Sequence, residues 1–144
     1  MESNEMGRTL ASVTIENLSD LWDAARGRLP AEQVRRVTVD DALADTGATL
    51  LSLPTRLIRE LGLTSWSTRR VTTSAGDVDA ALYGPVHLIV QGRDCNMDVL
   101  EVPDKVPVLI GQLPLEHLDF VVDVRNHKLI GNPAHGGEHM YELY

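Results

Sequence analysis

Hydrophobic and polar residues alternate along Thr9-Leu10-Ala11-Ser12-Val13-Thr14-Ile15, the period of a strand with one buried face. From Asn17 to Gly27, Leu18, Leu21 and Trp22 stand at i, i+3 and i+4, a pattern that fits a short helix or a loop. An extended segment is predicted from Val34 to Ala44, and a short buried strand from Leu50 to Leu53. Pro54 opens a helix over Thr55 to Leu61, which Gly62 stops. Alternation returns from Ser67 to Thr73. Ser74-Ala75-Gly76-Asp77 supplies turn residues and Val78 to Tyr83 resumes extended character, which together make a hairpin. Val86 to Val90 and Met97 to Val102 read as strands joined through Gly92-Arg93-Asp94. Val106 to Ile110 is a further strand leading to Gly111, with a short helix over Leu113 to Leu118. A last hairpin pairs Phe120 to Val124 with Lys128 to Ile130 around Asn126-His127. Strands dominate, with one or two short helices.

At 144 residues the chain is long enough for one domain with a hydrophobic core. No apolar run approaches the roughly 20 residues that span a bilayer, so no membrane partner is expected. The first residues, Met1-Glu2-Ser3-Asn4-Glu5, are polar and acidic, unlike the basic and apolar start of a secretory signal. A lone cysteine, Cys95, excludes an intrachain disulfide and fits a reducing compartment. A cytoplasmic location is therefore expected. Net charge is −8, from 21 acidic against 13 basic residues. That balance argues against nucleic acid, because no basic surplus exists to displace counterions from phosphates. Arg35-Arg36 and Arg69-Arg70 are too short to alter this and read as solvated strand faces.

The chemistry concentrates at Asp45-Thr46-Gly47-Ala48-Thr49, at the end of the apolar-rich Val37 to Ala44 segment. A carboxylate there stands on a tight Thr-Gly turn between two strands. Further on, Val106-Pro107-Val108-Leu109-Ile110-Gly111 is another apolar strand ending in Gly, and strand, Gly turn and short helix weakly echo the first set. Together these residues resemble the retropepsin-like, single-lobe aspartic proteases, over roughly residues 9–131. The resemblance implies an all-β, closed barrel-like retropepsin fold and an endopeptidase that cuts extended protein or peptide segments. It implies Asp45 as the catalytic acid/base, with Thr46, Gly47 and Ala48 completing the active-site turn. Because the chain has one Asp-Thr-Gly, it also implies a homodimer whose second carboxylate is the partner copy's Asp45. No metal and no organic cofactor are expected.

By its spacing from Asp45, the resemblance makes Ser74, Ala75, Gly76 and Asp77 the tip of a flap that closes over substrate. Small residues at such a tip suit a mobile lid close to a peptide backbone. Leu109, Ile110 and Gly111 match the apolar-apolar-Gly element that packs beneath the catalytic turn. Retroviral members follow Asp-Thr-Gly-Ala with an acid and the later Gly with Arg, which form an ion pair. Here Thr49 and Gln112 stand in those places, so a neutral hydrogen bond is expected in its stead.

Other strings carry less. His135-Gly136-Gly137-Glu138-His139 matches the H-x-x-E-H string of a zinc hydrolase. Two adjacent glycines oppose the helix that such a site needs, so it reads as a polar tail. Cys95 reads as a packed thiol, and Trp22 and Trp66 as core or groove-edge residues. The expected division is a flexible leader over 1–8, a protease domain over 9–131 and a C-terminal tail over 132–144. The alternative function is a non-catalytic dimeric module that binds peptide in the same groove.

Overall fold

The computed structural model describes residues 8–143, so the leader expected over 1–8 lies, apart from Arg8, outside the described residues. Nine strands and three short helices follow in order. They are β1 (Leu10–Asn17), α1 (Leu18–Ala25), β2 (Arg36–Ala44), β3 (Leu51–Pro54), α2 (Thr55–Leu61), β4 (Thr64–Thr73) and β5 (Gly76–Val90). After these come β6 (Arg93–Val102), β7 (Leu109–Ile110), α3 (Gln112–His117), β8 (Phe120–Asp123) and β9 (Lys128–Gly131). Among the described residues no helix is long and apolar enough to cross a membrane.

Six strands close on themselves in the order β1-β2-β7-β3-β6-β5, because β5 also pairs back onto β1. The expected all-β, closed barrel-like architecture is what forms. Closure removes the free sheet edges that would otherwise template aggregation. Alternation dictates the interior. In β1, Ala11, Val13 and Ile15 point inward, and Val13 and Ile15 sit opposite Val39 and Val37 of β2. Leu51, Leu53, Leu61, Val86, Leu88, Val99 and Ile110 complete a core with no measurable exposure.

Segment 17–27, open between helix and loop by its sequence, begins with α1. Asn17 decides this. Its side-chain oxygen accepts from the N–H of Asp20 at 3.0 Å, while its amide donates to the carbonyl of Leu61 at 2.8 Å. One buried residue thereby caps α1 and ties it to the end of α2. The helix count of three exceeds the one or two expected.

Other expectations need correction. Val78–Tyr83 and Val86–Val90 are one continuous strand, because a register shift between Tyr83 and Val86 absorbs Gly84-Pro85 within the ladder. The strand expected over Val106–Ile110 shrinks to Leu109–Ile110; Pro107 has no N–H to give a ladder. Trp22 and Trp66 are exposed at 46% and 60%, so neither belongs to the core. Arg35 and Arg36 are not merely solvated. Arg35 pairs with the buried Asp20 at 2.8 Å and Arg36 with the buried Glu16 at 2.9 Å. Glu16 also meets His87 at 2.8 Å. Burial alone would lower the His87 pKa, but hydrogen bonds to Asp94 and Glu16 outweigh it and hold the value above the ordinary one.

The chain beyond β9 is fastened by one carboxylate. Asp119, buried and with φ of 60°, accepts from His135 Nδ1 at 2.6 Å, Asn132 Nδ2 at 3.1 Å and the N–H of Met140 at 3.1 Å. Arg93 adds bonds to the carbonyls of Leu118, Asp119 and Gly137 and lies 4.5 Å over the Phe120 ring. The bond from His135 leads the partners that lower the Asp119 pKa from 3.8 to about 2. The folded chain thus holds this proton less tightly than the unfolded one. Its stabilisation is complete above pH 3.8 and is lost as pH falls toward about 2. Asp119→Asn is expected to lower the urea midpoint at neutral pH and to flatten its dependence between those two values. An acid limb identical to that of the unsubstituted protein would show that Asp119 contributes nothing there.

Candidate active site

Asp45 leaves β2 where that strand is held on both sides. The N–H of Ala44 donates to the carbonyl of Thr9 at 2.9 Å, and that of Asp45 to the carbonyl of Ile110 at 2.9 Å. The side chain then closes its own turn. Asp45 Oδ1 accepts from the N–H of Gly47 at 2.9 Å, and the N–H of Ala48 donates to the Asp45 carbonyl at 3.0 Å. This Asx-type closure is what Asp followed by a small residue favours. The carboxylate is half-buried, while Thr46 and Gly47 are exposed on the rim.

The second half of the support comes from the segment around Gly111. Its N–H donates to the carbonyl of Leu50 at 3.1 Å. The next two N–H groups, of Gln112 and Leu113, donate to the carbonyls of Ala48 and Thr49 at 2.8 and 2.9 Å. These are first-turn donors of α3, which have no partner within their own helix. The turn after Asp45 therefore serves as the N-terminal cap of α3. The expected side-chain bond between Thr49 and Gln112 is absent among the described residues, and both side chains are exposed. Main-chain groups make the connection, so the side chains at those two positions are free to vary. No residue pattern signals this, because backbone donors look alike in every residue.

The backbones approach so closely that only Gly fits at 111. A Cβ there would lie 2.5 Å from the Leu50 carbonyl oxygen and 2.8 Å from that of Ala48. Leu109 and Ile110 split their duties by alternation: Ile110 is fully buried and Leu109 faces the cleft.

That cleft has a volume of about 650 Å³, a size common for sites that enclose small ligands or short peptide segments. Gly47, Ala48, Thr49 and Leu50 form one wall, and Leu100, Val102 and Leu109 part of the floor. The far wall is the β4–β5 hairpin, which pairs with the barrel through β5 alone. Val71 lies opposite Val78 and Arg69 opposite Ala80, and all four line the cleft.

The hairpin tip departs from expectation in one respect. Ser74 and Ala75 make the turn, whereas Gly76 and Asp77 already pair with Thr73 and Thr72 in the ladder. None of the four lines the cleft. Thr73 Oγ1 donates to the Gly76 carbonyl at 2.7 Å and Thr72 Oγ1 to Asp77 at 3.0 Å, so the tip is stitched internally. Of the hairpin residues that line the cleft, Arg69 was expected only as part of a solvated strand face, and Val71, Val78 and Ala80 were not singled out. Period-two alternation along Ser67 to Thr73 was the signal that would have found them.

The other candidates lie apart. His135 and His139 do not share a helix face: Pro133–His135 is a 3₁₀ turn followed by left-handed Gly136. His135 is engaged by Asp119 and His139 by the carbonyl of His117. Among the described residues no three ligand-type side chains group as a metal site. Cys95 is buried, and desolvation followed by the charge of Asp94 pushes its thiol up to about 11, the opposite of an activated nucleophile.

A family model described as aspartyl protease matches residues 31–113, more than half of the chain. The chain belongs to the retropepsin-like aspartyl protease family. Comparison with curated proteins returns no match. The matched stretch takes in the Asp45 turn, the β4–β5 hairpin and Gly111, the parts that enclose the cleft of this aspartyl protease domain. It leaves out β1, the β8–β9 hairpin and everything after it.

Gly111→Ala is expected to destabilise the fold by about 1–3 kcal/mol, because the added methyl meets backbone atoms that move only with the active-site turn. Urea unfolding measures this. A midpoint equal to that of the unsubstituted protein would show that the approach at Gly111 is not tight.

Proposed function

We propose that this aspartyl protease is an endopeptidase whose reacting centre is a pair of Asp45 carboxylates, one from each of two identical subunits. The observation that carries the reading is Asp45 itself, held by its own Gly47 N–H beside a cleft under a two-stranded hairpin. The chain contains one Asp-Thr-Gly, and the chemistry needs two carboxylates sharing one proton. The ionised member takes a proton from a water between them. The protonated member donates a hydrogen bond to the scissile carbonyl, and the tetrahedral species then collapses with proton transfer to the leaving amine.

Several surface features support a dimer. Thr46 is exposed and makes no side-chain hydrogen bond among the described residues, leaving its hydroxyl for a facing copy of the same turn. Leu10 is exposed at 48% on the strand whose neighbour Thr9 bonds Ala44, and Leu113 at 49% on the helix that the turn caps. Large apolar side chains on both sides of the Asp45 turn are what an interface around it would cover. In this reading Gly47 presents its carbonyl to the substrate backbone, and the β4–β5 hairpin bends over the bound peptide as a flap.

Incubation with a diverse peptide mixture, with and without pepstatin, tests the activity directly. Asp45→Asn is expected to lower cleavage by at least about 10²-fold with fold and stability retained, since an amide cannot take the water's proton. Retained activity in the pure variant would sink the assignment. Activity per chain is expected to fall on dilution below the dimer dissociation constant found by sedimentation. Constant specific activity far below that concentration would argue against a shared site.

A further inference from the structure

Strand β4 carries two adjacent arginines, and alternation sends them to opposite faces of the hairpin. Arg70 lies opposite Asp79 and pairs with it at 3.2 Å, so its charge is matched although it too borders the cleft. Arg69 lies opposite Ala80 and shares the cleft-facing side with Val71 and Val78. Across from it there is no acid. Among the described residues Arg69 makes no ion pair; its Nη1 donates to Ser67 Oγ at 2.8 Å and to the Thr68 carbonyl at 2.9 Å. One nitrogen of the guanidinium is thus anchored to the chain's own strand. Nε and Nη2 keep their donors for something else.

Its location gives those donors a use. Arg69 and Leu50 line both the main cleft and a second hollow of about 390 Å³. Arg69 therefore stands where the two hollows adjoin. Besides Arg69 and the Asp79-paired Arg70, one charged residue, Glu101, lines the main cleft; Asp98 lines the second hollow but forms no ion pair with Arg69. Glu101 is engaged by Thr55 Oγ1 at 2.7 Å. In a chain of net charge −8, an unneutralised cation under the flap hairpin is the feature that stands out.

Resting on the peptidase reading above, we infer that Arg69 determines specificity: it binds an acidic side chain, aspartate or glutamate, of an extended peptide lying over Leu50. An arginine fork accepts a carboxylate by two parallel bonds, a geometry that a lysine or a neutral amide in the peptide cannot match. The peptide's alternate side chains point to opposite walls, so one position reaches Arg69 while its neighbours do not. In the two-fold dimer each subunit contributes an Arg69, and the preference recurs on both sides of the scissile bond.

The test takes a peptide that the protein cuts and replaces each residue flanking the scissile bond in turn by Glu, Gln or Lys. The unsubstituted protein is expected to prefer Glu over Gln by about five- to tenfold in kcat/KM at one position per side, carried by KM. Arg69→Gln removes that preference and leaves the other positions unchanged, Arg69→Lys keeps part of it, and Arg69→Glu favours Lys there. An Arg69→Gln profile identical to that of the unsubstituted protein, or an original preference for Lys at every position, overturns the inference. Fluorescence anisotropy of labelled acidic and neutral peptides on the Asp45→Asn protein separates this from failure of the peptidase reading. If nothing is cut but acidic peptides bind in an Arg69-dependent way, the specificity stands and proteolysis falls. Equal binding of both peptides with and without Arg69 overturns it independently of catalysis.

Discussion

Backbone hydrogen bonds join residues 43–50 to residues 108–113, and the three made from Gly111, Gln112 and Leu113 depend on the missing side chain at Gly111. The two segments are far apart in sequence yet meet so closely that carbonyls of Ala48 and Leu50 crowd the Gly111 Cα. From that contact the rest follows. Asp45 is held at its N–H by Ile110, and the turn after it by the first N–H groups of α3. The helix needs those acceptors because its first turn has none of its own. Turn and helix therefore satisfy each other, and neither is complete without the other. Ile110 and Leu51 pair directly and are both fully buried, so the same crossing lies over the core.

The cleft inherits two walls of unlike rigidity. On one side lies the Asp45 turn, fastened on every flank. On the other lies a hairpin that meets the barrel only through β5 and carries mostly exposed residues. Few buried contacts and a solvent-facing ladder are the physical marks of a segment that opens at low cost. A hydrolase acting on a peptide backbone gains from that division, because the reacting group must be positioned finely while the substrate must still enter. The internally stitched tip fits motion of the hairpin as a unit, bending where β4 and β5 leave the barrel.

Charge is distributed with similar asymmetry. Acids that lie within the fold, such as Asp20, Glu16 and Asp119, are matched by Arg35, by Arg36 with His87, and by His135. These pairs join segments distant in sequence: α1 to the start of β2, β1 to β5, and the end of α3 to the chain after β9. Removing one member would leave its partner buried and uncompensated, which costs far more than the pair contributes. Arg69, beside the cleft on β4, bonds only its own strand and has no acid paired with it among the described residues.

Much was legible in the sequence because its cause is local. Period-two alternation marked the strands, Pro54 and Gly62 bracketed α2 to the residue, and Asp45-Thr46-Gly47 marked the turn, since an Asp side chain readily closes a turn on the N–H two residues on. What tertiary structure decided depends on partners that no local pattern names. Whether 17–27 is helical turned on Asn17 finding both Asp20 and the distant Leu61. Whether the strands formed a barrel turned on β5 returning to β1. The neutral bond expected between Thr49 and Gln112 is absent; main-chain bonds from Gln112 to Ala48 and from Leu113 to Thr49 take its place, and backbone N–H groups carry no residue signature. Which arginine of Arg69-Arg70 is left without an acid was set once the register placed Asp79 opposite one and Ala80 opposite the other. Local rules fix what each segment prefers; the long-range pairing of backbones fixes which face of it is turned to the core and which to the cleft.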